Sequence, residues 1–512
     1  DMPAALDIAL VVSILVAATL LRSNVSYRTA FVDEAINLYQ GWRILQGQET
    51  FLIRYHIGWP LFSAVPLGFI GSLGGLEAAR AANAVLGVAV VLFTMMTARS
   101  LYGRMAGYIA GGMLAAYGPA VFVSTIVTYD SLSILLVSVA LYLWVRALSE
   151  DRMSFYALGS LVMTCAVLTK YAAVMVAFAA VISSLIMTGA AVTTRETAGR
   201  PRSELRRNLF LKLLLTALPF LLLLLYAWLH RASLLSLIRT QVLTKATTQP
   251  NSFYEIVSRF VSYLWLPLLL SAAAVFINGK RAAGIGLFMV GLSMLPYHLW
   301  NRDESTLFKH TCYMLVGLAP LTAGTIVEGV KAFASRKSPA WRRSLIGGIL
   351  GLAVVGYIAL LGHHQISGFR SYWPDTTELM AYLRSEVEQG DAILMEGGVI
   401  GAYYLVEKGT PGHIPGDIVD TWSYYDAQGS GTPAFRRGIS EKRFDFIVLS
   451  DVYTPERNEI LRRFMEGRYQ RVTSFSTVVS GKVETLEVYT PTRGDDARST
   501  TLVARPGSSR GS

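Results

Sequence analysis

A few isolated ionisable residues stand in an otherwise apolar chain, and each is of a type that does chemistry. Asp33 and Glu34 adjoin in Phe31-Val32-Asp33-Glu34-Ala35, just beyond the first apolar stretch. Carboxylates beside a bilayer are costly to desolvate, so they pair, bind a cation or move protons. The plain alternative is a solvated helix N-terminus, where acids are favoured. Asp130 is the sole charge between Arg104 and Arg146; it suits the N-cap of a span starting at Leu132, or a carboxylate at a cavity mouth. Lys170 is the sole charge between Arg152 and Arg195. A lysine there either snorkels to the surface or holds a phosphate as a point charge. His56 closes the first loop, and the segment 300–310 brings Arg302, Lys309 and His310 beside Asp303 and Glu304. Those charges either pair among themselves, worth little at a surface, or present cations to an anionic headgroup.

The elements that must position these groups are apolar helices. The 512 residues are 53% hydrophobic and 16% charged, with a mean hydropathy of +0.42. Soluble chains carry about 25% charged residues, so an ordinary cytosolic enzyme is excluded. Windows of spanning length fall at 4–21, 82–98, 105–123, 132–148, 155–169, 171–190, 210–229, 260–277, 284–299, 311–333 and 344–361, about eleven transmembrane helices. The first is long enough to remain as an anchor rather than be cleaved as a signal. Trp59–Leu76 is also apolar but holds Pro60, Pro66 and four glycines, and reads as interfacial helix rather than a crossing.

The net charge of +11 does not point to nucleic acid. The basic residues fall in short loops, where they set topology and meet anionic lipid headgroups. With the N-terminus inside, the cytoplasmic loops hold Arg99 and Arg104, Arg146 and Arg152, the cluster 195–212, Lys280–Arg281, and the run 331–343. The isolated charges named above then all lie at the opposite, outer edge. Structural charges placed at random would not share one side so consistently. Cys165 and Cys312 both lie in apolar spans and indicate neither a disulfide framework nor a metal knuckle.

An odd number of crossings puts the C-terminal part outside the cytoplasm. After residue 362 the long apolar runs stop. Thr376–Gln389 has helical spacing, Ala392–Met395 and Phe446–Leu449 read as buried strands, and Val483–Tyr489 alternates like a strand. The expected organisation is therefore a transmembrane domain over 1–362, with its first outer loop at 22–81. A small extracytoplasmic α/β domain over 363–490 and a Gly/Ser/Arg-rich disordered tail over 491–512 follow. In the small domain, Trp422, Tyr424 and Tyr425 have faces able to stack on a sugar, with core packing the plainer role.

Several of these pieces, in order, carry a family resemblance. They are Asp33-Glu34-Ala35, Tyr55-His56 through Pro60-Leu61-Phe62, Ala79-Arg80-Ala81-Ala82-Asn83-Ala84-Val85-Leu86-Gly87, Ala98–Arg104, Pro119, Tyr129-Asp130-Ser131-Leu132 and Leu168-Thr169-Lys170. The chain resembles the GT-C-type glycosyltransferases of the protein O-mannosyltransferase and aminoarabinose-transferase superfamily over about residues 25–175. More loosely, the span after Lys309-His310, with Tyr313 and Pro320, resembles that family's Arg-Tyr-led helix without the Arg-Tyr pair itself.

The resemblance implies a GT-C-like membrane domain, a polyprenyl-phosphate sugar donor, an acceptor hydroxyl on a lipid, glycan or protein outside the cytoplasm, and inversion at the anomeric carbon. By its match to the family's first-loop acid, Asp33 is the expected general base. Glu34 and Asp130 would orient the acceptor or hold Asp33, while Lys170, Arg302, Lys309 and His310, and more weakly His56, would hold the phosphate. No obligatory metal is expected, although some lipid-linked transferases use a divalent cation. Three other classes compete: a structural membrane subunit whose C-terminal domain binds a partner, which would leave Asp33-Glu34 and Asp130 unexplained, a transporter or flippase, and a lipid-linked glycan polymerase or ligase. Arg231, Arg239 and Lys245 in the segment 230–259 keep the last open.

Overall fold

A computed structural model describes residues 3–48, 59–196, 202–232, 235, 251–276, 281–302, 304, 306–333, 339–405, 417–421, 425–426 and 428–492. His56, Arg239, Lys245, Trp422, Tyr424 and the tail from 493 onward lie outside the described residues. The chain divides into two compact units, Asp1–Tyr372 and Trp373–Ser512. The boundary follows residue 362 by ten positions because the last membrane helix runs on to Arg370.

The first unit is helical: α1 (Ala4–Arg22), α2 (Val32–Leu45), a π-helical turn (Trp59–Ala64), α3 (Val65–Tyr102), α4 (Arg104–Ala116), α5 (Gly118–Thr125), α6 (Tyr129–Glu150) and α7 (Met153–Thr169). It continues with α8 (Val174–Glu196), α9 (Arg202–Leu229), α10 (Phe253–Ala274), α11 (Arg281–Leu292), α12 (Leu295–Asn301), α13 (Leu307–Phe333) and α14 (Ala340–Arg370). Among the described residues, nine helical segments are long and apolar enough to cross a membrane, or ten if the bent pair α4–α5 is one span. Met153–Thr169 is a shorter apolar helix. The eleven apolar windows all fall on these elements, and the chain is a multi-pass membrane protein. α13 is the most buried of the spans and packs at the centre with Tyr313, Met314 and Leu315 fully enclosed. α9 and α14 instead present rows of exposed leucines such as Leu224, Leu225, Leu352 and Leu360, the surface expected against acyl chains.

Two breaks shape the site. Gly75 sits at φ 77°, ψ −170°, which only glycine adopts at low cost, and it divides the long α3 into 65–74 and 76–102. The second break lies between α4 and α5, which bend by 60° about Tyr117, just before Gly118-Pro119. A break frees carbonyls at the end of the helix it terminates. Buried Arg22 takes two of them, donating from Nη1 to Ala115 O at 3.1 Å and from Nη2 to Leu114 O at 3.4 Å, while its Nε donates to Ser124 Oγ at 2.8 Å. Gly87 makes room: a Cβ there would meet Ser124 Cβ and come within 3.0 Å of Arg22 Nε.

The second unit is α/β. It contains α15 (Thr377–Glu386), β1 (Ala392–Met395), α16 (Gly398–Leu405), β2 (Asp417–Asp420), the short β3 (Tyr425–Asp426) and β4 (Gly429–Ser430), α17 (Thr432–Ser440), β5 (Phe446–Leu449), α18 (Pro455–Met465), β6 (Tyr469–Val479) and β7 (Lys482–Pro491). The main sheet runs β2-β1-β5-β7-β6. β1 pairs in parallel with β2 and β5, whereas β7 is antiparallel to β5 and β6. Every residue of β5 is buried, as a central strand covered on both faces requires. β6 is the one long strand that the sequence reading did not anticipate.

Candidate active site

Asp33 and Glu34 are adjacent in sequence but turn to different partners, because neighbours on a helix point about 100° apart. Glu34 is fully buried. Its carboxylate takes a two-pronged grip from Arg80, Nε to Oε1 and Nη2 to Oε2, both at 2.7 Å. It also accepts the Val127 N–H at 2.9 Å and the Phe31 N–H at 2.9 Å. Arg80 spends its Nη1 on the carbonyls of Val25 (2.9 Å) and Tyr27 (2.8 Å), and stacks over the Tyr27 ring. Glu34 thus caps the N-terminus of α2 and ties it to α3 and to the strand-like segment before Asp130. Asn37 adds a second tie, donating to Asp33 O at 2.9 Å and Val127 O at 3.3 Å while accepting from Trp59 Nε1 at 2.7 Å.

Asp33 is part-exposed and forms an ion pair with Lys309, in the first turn of α13. Asp130 forms a second ion pair with Lys170. Helix α6 begins at Tyr129, so Asp130 lies in its first turn rather than at the N-cap, which is Thr128. Lys170 is the C-cap of α7, an end where a cation is favoured. Asp130, Lys170 and Lys309 are each at least nine-tenths buried. The two pairs also act on one another. Lys170 feels Lys309 and Asp33 as well as Asp130, and Lys309 feels Asp130 as well as Asp33. The Tyr129 ring lies among them, 4.4 Å from the Trp59 ring and 5.4 Å from Lys170 Nζ.

His310 turns instead to His298 of α12, with 2.8 Å between Nδ1 of His310 and Nε2 of His298. Both rings are buried and edge-packed on Tyr297. Arg302 sits exposed at the end of α12 with φ 51°. The described residues thus gather Asp33, Glu34, Asp130, Lys170 and Lys309 in one neighbourhood, with His310 next to Lys309 on α13 but turned to His298.

Residues 69–199 match the family profile described as dolichyl-phosphate-mannose-protein mannosyltransferase. That segment includes Arg80, Asp130 and Lys170. No curated protein matches the chain in sequence. Among solved structures, the chain is similar to ArnT from Cupriavidus metallidurans in the apo state, with 14% identity, a TM-score of 0.55, and 94% of this chain and 97% of that one covered. The same transferase bound to undecaprenyl phosphate gives 14% identity and a TM-score of 0.53 over 95% and 98% of the two chains. The Archaeoglobus fulgidus oligosaccharyltransferase in the apo form gives 12% identity and a TM-score of 0.56, over 92% of this chain and 73% of that one.

The chain has the GT-C fold. Within the GT-C frame, the residues that sequence reasoning passed over are Arg80, Asn37, Trp59 and His298. Arg80 and Trp59 stood in the quoted motifs without a role. Arg80 was legible in principle, since an arginine inside an apolar run calls for an acid. His298 carried only the weak signal of a lone imidazole within an apolar window.

Among the described residues, Asp33 and Asp130 as paired are not open to a divalent cation. Both Asp33 and Asp130 are in contact with an ammonium group, which repels a second cation from the same oxygens. Among the described residues no group of three or more His, Cys, Asp or Glu side chains gathers to hold a metal. Two acids and two ammonium groups, paired as Asp33–Lys309 and Asp130–Lys170, thus lie together in this part of the membrane unit.

Proposed function

We propose that this protein is a membrane glycosyltransferase that moves a sugar from a polyprenyl-phosphate donor to an acceptor hydroxyl. The observation that carries the reading is the convergence of Asp33–Lys309 and Asp130–Lys170 on the GT-C scaffold. Two of the solved relatives are described with a carrier lipid, ArnT bound to undecaprenyl phosphate and the archaeal oligosaccharyltransferase with a dolichol-phosphate.

In this reading Asp33 takes the acceptor O–H proton as the oxygen attacks the anomeric carbon. The bond from that carbon to the phosphate oxygen breaks, and its electron pair leaves with the polyprenyl phosphate. Lys309 and Lys170 stabilise the charge that collects on the departing phosphate. Attack from the face opposite the leaving group gives inversion. Asp130 orients the acceptor and Lys170, and Glu34, held by Arg80, fixes the helix that carries Asp33. His310, the residue after Lys309, turns to His298 and steadies the start of the helix that carries Lys309. The placement of basic loops supports an extracytoplasmic reaction and an extracytoplasmic C-terminal domain.

The test is mass spectrometry of lipid-linked sugars in cells lacking the gene, complemented with wild type or with Asp33→Asn. A polyprenyl-monophosphate sugar should accumulate without the gene, disappear with wild type and persist with Asp33→Asn. Clearance by Asp33→Asn as by wild type would refute the base assignment. Accumulation of a lipid pyrophosphate would favour a polymerase or ligase, and uptake of an unaltered solute into proteoliposomes a transporter. Cysteines placed beside Asp33 and Asp130 should react with impermeant reagent from the outside only.

A further inference from the structure

The two lysines available to a phosphate are the same two that now hold the carboxylates. Lys309 is nine-tenths buried and paired with Asp33, and Lys170 is nine-tenths buried and paired with Asp130. A lysine has three donors, yet a buried ammonium gripping a carboxylate must give up part of that contact to grip a phosphodiester in the same space. An ammonium in contact with a carboxylate also favours its charged form, which makes that carboxylate a poorer proton acceptor.

We propose that the Asp33–Lys309 pair is a substrate-operated catch: the anionic phosphate of the donor draws Lys309 away from Asp33, so that the base becomes competent only once the donor is in place. This rests on the reading of the chain as a polyprenyl-phosphate glycosyltransferase. Several features support the exchange. Asp33 is part-exposed while its partner is buried, so the carboxylate can be solvated or meet an acceptor after the lysine turns. Lys309 also feels the charge of Asp130, so it has a second anion nearby and does not depend on Asp33 alone. Glu34 and Asn37 hold the backbone of α2 in place, so parting of the pair needs side-chain movement only. The consequence is an order of events. Donor binds first, the acceptor is deprotonated second, and a resting enzyme facing acceptor alone has its base occupied.

The consequence for binding is counterintuitive and separable from catalysis. If Asp33 competes with phosphate for Lys309, removing the charge of Asp33 should strengthen phosphate binding even as it abolishes transfer. The probe is undecaprenyl phosphate titrated into the full-length protein in detergent, with thermal unfolding as a folding check. Asp33→Asn should bind it on the order of tenfold more tightly than wild type, the worth of one charge-assisted contact. Lys309→Ala should bind it more weakly, and the double variant as weakly as Lys309→Ala alone, since the gain requires the lysine. Asp130→Asn gives the parallel arm through Lys170. Wild type and Asp33→Asn binding equally, or a gain that survives loss of Lys309, would overturn the catch while leaving the glycosyltransferase reading intact. Failure of folded wild type to bind the carrier phosphate at all would overturn both.

Discussion

Asp33, at the start of α2, and Lys309, in the first turn of α13, form an ion pair across 276 positions of the chain. The contact joins α2 to α13, and it places a part-exposed carboxylate beside a buried ammonium group. Replacing Lys309 with Met removes the cation while keeping the length of the side chain. Transfer should fall on the order of 100-fold in kcat/KM, as when one donor to a developing anion is lost. Lys309→Arg should restore part of it. Initial rates against donor concentration check this.

Glu34 should behave unlike its neighbour. Its carboxylate has no exposed surface, and removing the charge leaves Arg80 buried and uncompensated. Breaking such a pair costs about 3–5 kcal/mol. Glu34→Gln should therefore lower the thermal unfolding temperature markedly, and more than Asp33→Asn, whose carboxylate is part-exposed and whose partner Lys309 keeps Asp130 nearby, while Asp33→Asn is the variant that loses transfer. Fluorescence-monitored unfolding in detergent, run beside the activity assay, separates the two.

The closeness of α2 to the α3 region is testable at Gly41. A Cβ added there would run into the carbonyl of Ala64, and one added to Gly68 would come within 2.8 Å of the Gly41 carbonyl carbon. Backbone cannot yield as a flexible side chain can. Gly41→Ala should destabilise the membrane unit by about 1–3 kcal/mol or more through overpacking. Activity should fall with it because α2 carries Asp33. Equal stability to wild type would contradict this packing.

In the C-terminal unit, Glu487 accepts from Arg471 Nη1 at 2.8 Å, Arg462 Nη2 at 2.9 Å and Tyr489 Oη at 3.0 Å. Burial raises its affinity for a proton, but these three donors outweigh it and hold the carboxyl below the ordinary glutamate value. A carboxyl lowered on folding contributes stability above its unfolded pKa of 4.5, and that contribution is lost as the pH falls through the lower folded value. Glu487→Gln should thus reduce stability at neutral pH and flatten the loss on acidification below pH 4.5. Unfolding of the full chain followed against pH measures it.

Much of this architecture was written in the sequence, because a bilayer leaves few choices. An apolar stretch of spanning length must be helical, so the windows fell on helices, and the strands at Ala392–Met395 and Phe446–Leu449 were legible as short apolar runs. The isolated Asp130 and Lys170 stood out because a lone charge in apolar surroundings needs a reason. Their pairing was not legible, since it depends on how α6 packs on α7 rather than on spacing. Nor was the division of labour between Asp33 and Glu34, which only the position of Arg80 on α3 decides. β6 escaped because its residues are mostly exposed, so its apolar alternation is weak.

The central claim, that Asp33 accepts the acceptor proton while lysines hold a single phosphate, is tested most directly with purified protein. The lipid-linked sugar that accumulates in cells lacking the gene is supplied together with its natural acceptor extract, and release of free polyprenyl monophosphate is followed. Wild type should release it, and correctly folded Asp33→Asn should do so on the order of 100-fold or more slowly, as expected for loss of a general base. Equal rates from the two proteins, or release of a polyprenyl pyrophosphate, would contradict the account.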